Sequence, residues 1–197
     1  RRDVGALFHM ENMSAFNKVV KLLALGIGGL VNIEGFSNRA GIARQTLEKY
    51  FSILESTYIC KFIQPYYTNK TKEIVKMSKV YFYDTGIRNR IMNDFRKLQD
   101  RVDSGFLIEN AVFKNLLGKV ENKDTIKFWR IKSGIEVDFV LDEERPIGLE
   151  VKFDGIDSIP GGIASFLNSY HSAQTLVVNQ KTLKEYRGVK FIPYYLV

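Results

Sequence analysis

Four side chains in the second half of this 197-residue sequence have the types and spacing for metal-assisted chemistry: Glu109, Asp138, Glu150 and Lys152. Residues 135–141 and 147–153 read as two strands joined by a turn over 142–146 (DEERP). Alternation sends Ile135, Val137, Phe139 and Leu141, with Ile147, Leu149, Val151 and Phe153, to one face. Asp138, Glu150 and Lys152 then share the other. Pairing Leu141 with Ile147 sets Asp138 directly opposite Glu150. Facing residues have Cβ atoms roughly 4.5–5.5 Å apart, and like charges there are destabilising. A hard divalent cation, Mg2+ or Mn2+, held by Asp138 and Glu150 removes that repulsion. Lys152, two residues beyond Glu150, puts an ammonium beside it. Its acidic neighbours favour the charged form, so it suits neutralising a phosphoryl oxygen or orienting water better than acting as a neutral base.

Glu109 joins the set from a helix expected over 102–117. At 3.6 residues per turn Phe106, Val112, Phe113, Leu116 and Leu117 form one stripe with Glu109 in its middle. A carboxylate there is costly without a partner. Packing this helix on the hairpin aims Glu109 at Asp138 and Glu150. The plainer reading makes Lys152 a cross-ladder partner of Glu136.

The elements around these residues suggest two domains, 1–95 and 96–197. The spacing predicts a helix over 17–25 ending at Gly26, a short helix over 39–41 capped by Ser37-Asn38, and a turn at Ile42. A second helix over 43–53 follows, with Leu47, Tyr50, Phe51 and Leu54 inward. Extended stretches over 58–67 and 74–83 flank a polar turn at 68–73. Short helix, turn, longer helix and a hairpin with a lysine-bearing tip is the order of a winged helix-turn-helix. Its candidate DNA contacts are Arg44, Gln45 and Lys49 on the helix and Lys70 and Lys72 at the wing tip. Glu48 and Glu55 oppose phosphate on the same helix. A short helix over 87–92 closes this half. Beyond the helix at 102–117, strands are expected over 125–132, 135–141, 147–153 and 175–179, a helix over 163–170 and an extended tail over 189–197.

Composition supports this division. Hydrophobic residues make up 45% and charged residues 26%, a globular balance. The net charge of +7 is uneven. Residues 1–95 carry fourteen Lys and Arg against eight Asp and Glu; the remainder carry fifteen against fourteen. The basic field of the first half suits a polyanion, DNA above all, although solubility alone accounts for some of it. The lone Cys60 cannot form an internal disulfide and sits in an apolar run; a reducing cytoplasm fits. No apolar run is long enough to span a bilayer, so no membrane partner is expected. Arg1-Arg2-Asp3 opens the chain on a helical pattern without a start methionine, which suggests a piece of a longer protein. His9 and His171 lack metal-ligand spacing. Arg130 suits either a phosphate or an ordinary strand surface. The glycines of residues 155–162 (GIDSIPGG) form no phosphate loop and read as a loop bounding the site.

Asp138 followed by Glu150-Val151-Lys152, with Glu109 on a preceding helix, resembles the PD-(D/E)XK nuclease superfamily. Wider text is similar to a C-terminal domain that usually follows a AAA+ ATPase domain in prokaryotic proteins: Ala43-Arg44-Gln45-Thr46-Leu47, Lys79 through Gly86 (KVYFYDTG), Gly105 through Asn110 (GFLIEN) and Glu136 through Val140 (EVDFV). The resemblance implies an α+β architecture, a winged helix followed by a restriction-endonuclease-like α/β domain with a mixed sheet. It makes Asp138 and Glu150 metal ligands, Lys152 the catalytic lysine and Glu109 the helix acid. The sequence holds no Walker-type loop, so ATP would enter only through an absent N-terminal ATPase domain. Two functions follow as expectations: a metal-dependent DNA endonuclease, or a non-catalytic module that positions an ATPase on DNA or protein.

Overall fold

The computed structural model describes residues 12–67 and 77–197. Lys70 and Lys72, the expected wing tip, and His9 lie outside these residues. The described chain is a mixed α+β protein that divides into two compact units. Residues 12–62 with 79–95 form one, and residues 63–67, 77–78 and 96–197 the other.

In the first unit α1 (Met13–Leu25) is capped by Asn12, whose side chain accepts the Ala15 N–H at 2.9 Å, and stops at Gly26. The next helix corrects the sequence reading. It spans α2 (Ile33–Ala40), because Asn32 rather than Ser37-Asn38 is its cap; the Asn32 side chain accepts from Gly35 N. Ser37 instead donates through Oγ to Ile42 O, bracing the turn from inside the helix. Gly41 ends α2 at φ 72°, a left-handed conformation that glycine adopts at little cost. After that turn α3 (Arg44–Ser56) buries Leu47, Tyr50, Phe51, Ile53 and Leu54. These pack with Phe16, Val19 and Leu23 of α1 into one core, where Phe16 meets Tyr50 edge to face at 5.2 Å. The strands β1 (Cys60–Ile63) and β2 (Lys79–Phe82) form a two-stranded sheet. Asp84 caps α4 (Thr85–Met92) through Ile87 N. Cys60 is buried in this core as expected; burial pushes its thiol well above the ordinary range, aided by the charge of Glu55.

The second unit is built on a six-stranded mixed sheet of order β3-β4-β5-β6-β8-β7. The strands are β3 (Ile126–Arg130), β4 (Glu136–Leu141), β5 (Ile147–Val151), β6 (Gln174–Asn179), β7 (Lys184–Tyr186) and β8 (Val189–Pro193). The first three run antiparallel; β5, β6 and β8 are parallel; β7 returns antiparallel to β8. The short strand β7 has no counterpart in the sequence reading, and the tail leaves its strand at Pro193 for a 3-10 turn over Tyr194–Leu196. The apolar stretch 58–67 is not one strand. Beyond Ile63, Pro65 bridges Phe128 of β3, and Tyr66 packs with Trp129, Phe166 and Tyr170.

Both faces of this sheet are covered, which changes the face assignment. Helix α5 (Ser104–Leu117) lies on one side, where Phe113 stacks on Phe139 with ring centres 6.2 Å apart. Helix α6 (Gly161–Ser169) lies on the other. There Gly148 leaves room for Phe166, whose ring carbons come within 2.9 Å of where a Cβ would stand. A strand sandwiched in this way is apolar on both sides, so its polar residues do not mark a solvent face.

Candidate active site

The β4–β5 hairpin has the register expected from the sequence: Leu141 pairs with Ile147 and Phe139 with Leu149. The β3–β4 ladder supplies the departure. Between Lys127↔Val140 and Trp129↔Val137, β3 advances two residues and β4 three. Asp138 and Phe139 therefore stand against Phe128 alone, a β-bulge that re-aims a side chain. Its trace is that Val137 and Val140, three apart, enter the same apolar cluster against α6. Asp138 turns toward α5 instead, where it lines a pocket with Phe106 and Glu109. Glu150 pairs along the ladder with Val177, which belongs to the α6-side cluster. The expectation that Asp138 and Glu150 share a face by simple alternation is corrected by this extra residue. Asp138 and Glu150 leave the sheet on different sides and have Lys152 as a common charge neighbour.

The pocket, of about 290 Å3, is lined by Val102, Gly105, Phe106, Glu109, Asp138, Val151, Lys152 and Phe153. It gathers three of the four residues singled out. Glu150 is tied to it through Lys152, whose Nζ donates to Glu150 Oε1 at 2.7 Å. Asp138 Oδ2 accepts the Val151 N–H at 2.8 Å, which fixes that carboxylate across the end of the hairpin. Glu109, Asp138 and Glu150 are 9%, 8% and 6% exposed, so three carboxylates are largely removed from water. Burial of this kind is tolerated only with compensating charge or donors. Lys152 supplies such charge. Burial alone would lower its pKa, but the hydrogen bond and charge of Glu150, with Asp138 and Glu109, outweigh that and hold it above the usual lysine value. It is an ammonium near neutral pH.

The cross-ladder pair of Glu136 with Lys152 does not form: Glu136 binds Arg130 instead, which also occupies the Arg130 guanidinium. Phe106 is the second departure. Helical spacing puts it in the buried stripe, yet it is half-exposed at the pocket mouth. Gly162, expected in a loop, lies in the first turn of α6; a Cβ there would fall 2.0 Å from Glu136 O and 3.2 Å from Glu150 Oε2. Its missing side chain lets α6 close over Glu150. In the segment expected to bound the site, Gly155 packs against Lys181, and Asp157 pairs with Lys184 at 2.9 Å. In the first unit Arg44, Gln45 and Lys49 are all exposed on α3, with Arg44 bonded to Glu48 at 2.8 Å.

The two halves match two separate domain models. Residues 1–98 match a domain of unknown function, DUF8612, and residues 104–197 match another, DUF4143. The latter is typically the C-terminal domain of AAA-ATPase-like proteins. The chain is similar to two proteins, Uncharacterized protein Mb2031c of Mycobacterium bovis and Uncharacterized protein Rv2008c of Mycobacterium tuberculosis. Each is 23% identical over 180 residues, covering 90% of this chain and 41% of the relative. The chain thus spans about two fifths of the length of these curated relatives. No solved structure matches it. No helix among the described residues is long and apolar enough to cross a membrane.

Proposed function

We propose that this chain is the DNA-binding and phosphodiester-hydrolysing part of an ATPase-associated protein. The observation that carries the reading is the convergence of Glu109, Asp138 and the Glu150–Lys152 pair on one pocket at the end of β5. Three largely buried carboxylates held at one ammonium are a poor way to stabilise a fold. Two of them beside that ammonium suit a cation held next to a phosphate. The donor set is all hard oxygen, and Mg2+ is commonly bound through one or two carboxylates with phosphate and water completing its shell. Asp138 and Glu150 are the residues that would hold it. When bound, such an ion polarises a phosphoryl oxygen and yields a nucleophile at neutral pH. Lys152, kept charged by its neighbours, would place positive charge on the phosphate as it becomes more negative. Glu109 would orient the attacking water from α5. The bond of Val151 N–H to Asp138 holds that carboxylate in place throughout.

The restriction-endonuclease-like reading of the second unit belongs to this proposal, as does the winged-helix reading of the first. The latter draws support from the α2–Gly41–α3 turn and from the exposed Arg44, Gln45 and Lys49. Lys70 and Lys72 would add phosphate contacts. A cytoplasmic setting fits the single buried thiol.

Titrating Mn2+ into the chain by calorimetry tests the metal. Binding should be present in the wild type and lost in Asp138→Ala; undiminished binding by that variant overturns the ligand assignment. A plasmid-nicking assay with Mg2+ or Mn2+ against EDTA tests the hydrolysis, with the intact ATPase-containing protein alongside. A second reading, a non-catalytic module that positions the ATPase, is favoured by one observation. Among the described residues no group of three or more His, Cys, Asp or Glu side chains is gathered closely enough to hold a metal ion. Metal-independent DNA binding with no cleavage by the intact protein would select it.

A further inference from the structure

The mouth of the pocket is apolar, although its floor is charged. Phe106 is 50% exposed and Val102 fully exposed, and both line the pocket with the partly exposed Phe153. Exposed apolar side chains scattered singly need no explanation; an aromatic lip around a charged cleft does. Helix geometry sharpens the point. Phe106 stands one turn before Asn110, which is fully buried, and three residues before Glu109, so the helix exposes its aromatic residue while burying polar ones. Gly105, beside Phe106, leaves the mouth open: a Cβ added there would meet no heavy atom within 4 Å.

We infer that this lip is a stacking platform for an unpaired nucleobase, so that the substrate of the site is single-stranded or frayed nucleic acid. The inference rests on the phosphodiesterase reading and names its substrate class. The chemistry of the pocket fits a nucleotide in both its parts. Lys152, two-fifths exposed, offers an ammonium to a phosphate, and Phe106 offers a ring face to the base next to it. Stacking on an exposed aromatic ring is tolerant of base identity, because every base presents a π face. A base paired within a continuous duplex has no free face to give to Phe106, whereas an unpaired one does.

The test measures binding without metal, so it stands apart from hydrolysis. Fluorescence anisotropy compares a short oligothymidine single strand with a strand of the same length made wholly of abasic sites, at equal salt and in EDTA. The two carry the same phosphates and differ only in bases. The full chain should bind the base-bearing strand about tenfold more tightly. That is about 1.4 kcal/mol, within the range for one base on an aromatic ring. Phe106→Ala should abolish the preference and Phe106→Trp should keep it. Gly105→Leu supplies a variant that keeps its fold, since leucine suits a helix better than glycine. It should melt no lower than the wild type and lose the preference by filling the mouth. Equal affinity for both strands, binding of neither, or a preference untouched by Phe106→Ala overturns the inference and leaves the lip to a protein partner. A retained preference without Mn2+-dependent cleavage would remove the hydrolytic reading while leaving the platform in place.

Discussion

Two ion pairs, one in each unit, have the same chemistry and opposite settings. Arg44 and Glu48 pair at 2.8 Å one turn apart on α3, with side chains 72% and 44% exposed. Lys152 and Glu150 pair at 2.7 Å on the end of β5, with side chains 41% and 8% exposed. The first is a solvated helix pair of the kind that adds a few tenths of a kcal/mol and weakens with salt. The second holds a carboxylate that water hardly reaches, with Asp138 and Glu109 as further acidic neighbours of the same ammonium. Proximity of opposite charges therefore says little by itself. What separates a surface pair from a candidate site is how much hydration has been given up to make it.

The strongest way to sharpen this contrast is Lys152→Ala. If the pocket hydrolyses phosphodiesters, cleavage should fall by ~10²–10³, the loss typical of one electrostatic stabiliser. Mn2+ binding by calorimetry should persist, because both proposed ligands remain. Nicking at the wild-type rate would reduce the buried pair to a structural one. Folding is the next level. Lys152→Ala leaves Glu150 buried without its ammonium and should cost on the order of 1–3 kcal/mol in urea unfolding. Arg44→Ala should cost less than about 1 kcal/mol. Equal costs would erase the distinction between the two pairs. Gly162→Ala tests what keeps Glu150 covered. A Cβ driven against Glu136 O must push α6 off the sheet, with a loss of about 1–3 kcal/mol, read as a lower melting temperature. The smallest effect belongs to the exposed pair's neighbourhood. Removing Arg44 and Lys49 together should flatten the dependence of log K for duplex DNA on log salt, by up to about 0.9 for each phosphate they neutralise. An unchanged slope would take α3 out of the DNA interface.

Much of the second unit is legible in its sequence, since hairpin symmetry about DEERP sets Leu141 against Ile147. The same symmetry locates Asp138 and Glu150 at one end of the hairpin. Alternation cannot reveal the extra residue at Asp138–Phe139, because a bulge has no composition of its own. Phe106 escapes for a related reason: helical spacing identifies a stripe but not where the covering sheet ends. In the first unit α3 is legible from Leu47, Tyr50, Phe51 and Leu54. The start of α2 is not, since Asn32 and Ser37-Asn38 are comparable caps on paper, and only the position of Gly41 relative to a full helix separates them. The strand Lys184–Tyr186 offers three residues without an apolar alternation, too little for a sequence signal.

The bulge in β4 also sets what kind of change the site can survive. Replacing an apolar neighbour of Asp138 by another of similar size alters packing and leaves the aim of the carboxylate alone. Deleting a single residue from that strand would restore perfect alternation with β3 and look, on paper, like an improvement. It would instead turn half of the strand over, sending Asp138 or the valines that anchor it to the wrong helix. The site is therefore guarded by the length of one strand more strictly than by the identity of most residues in it.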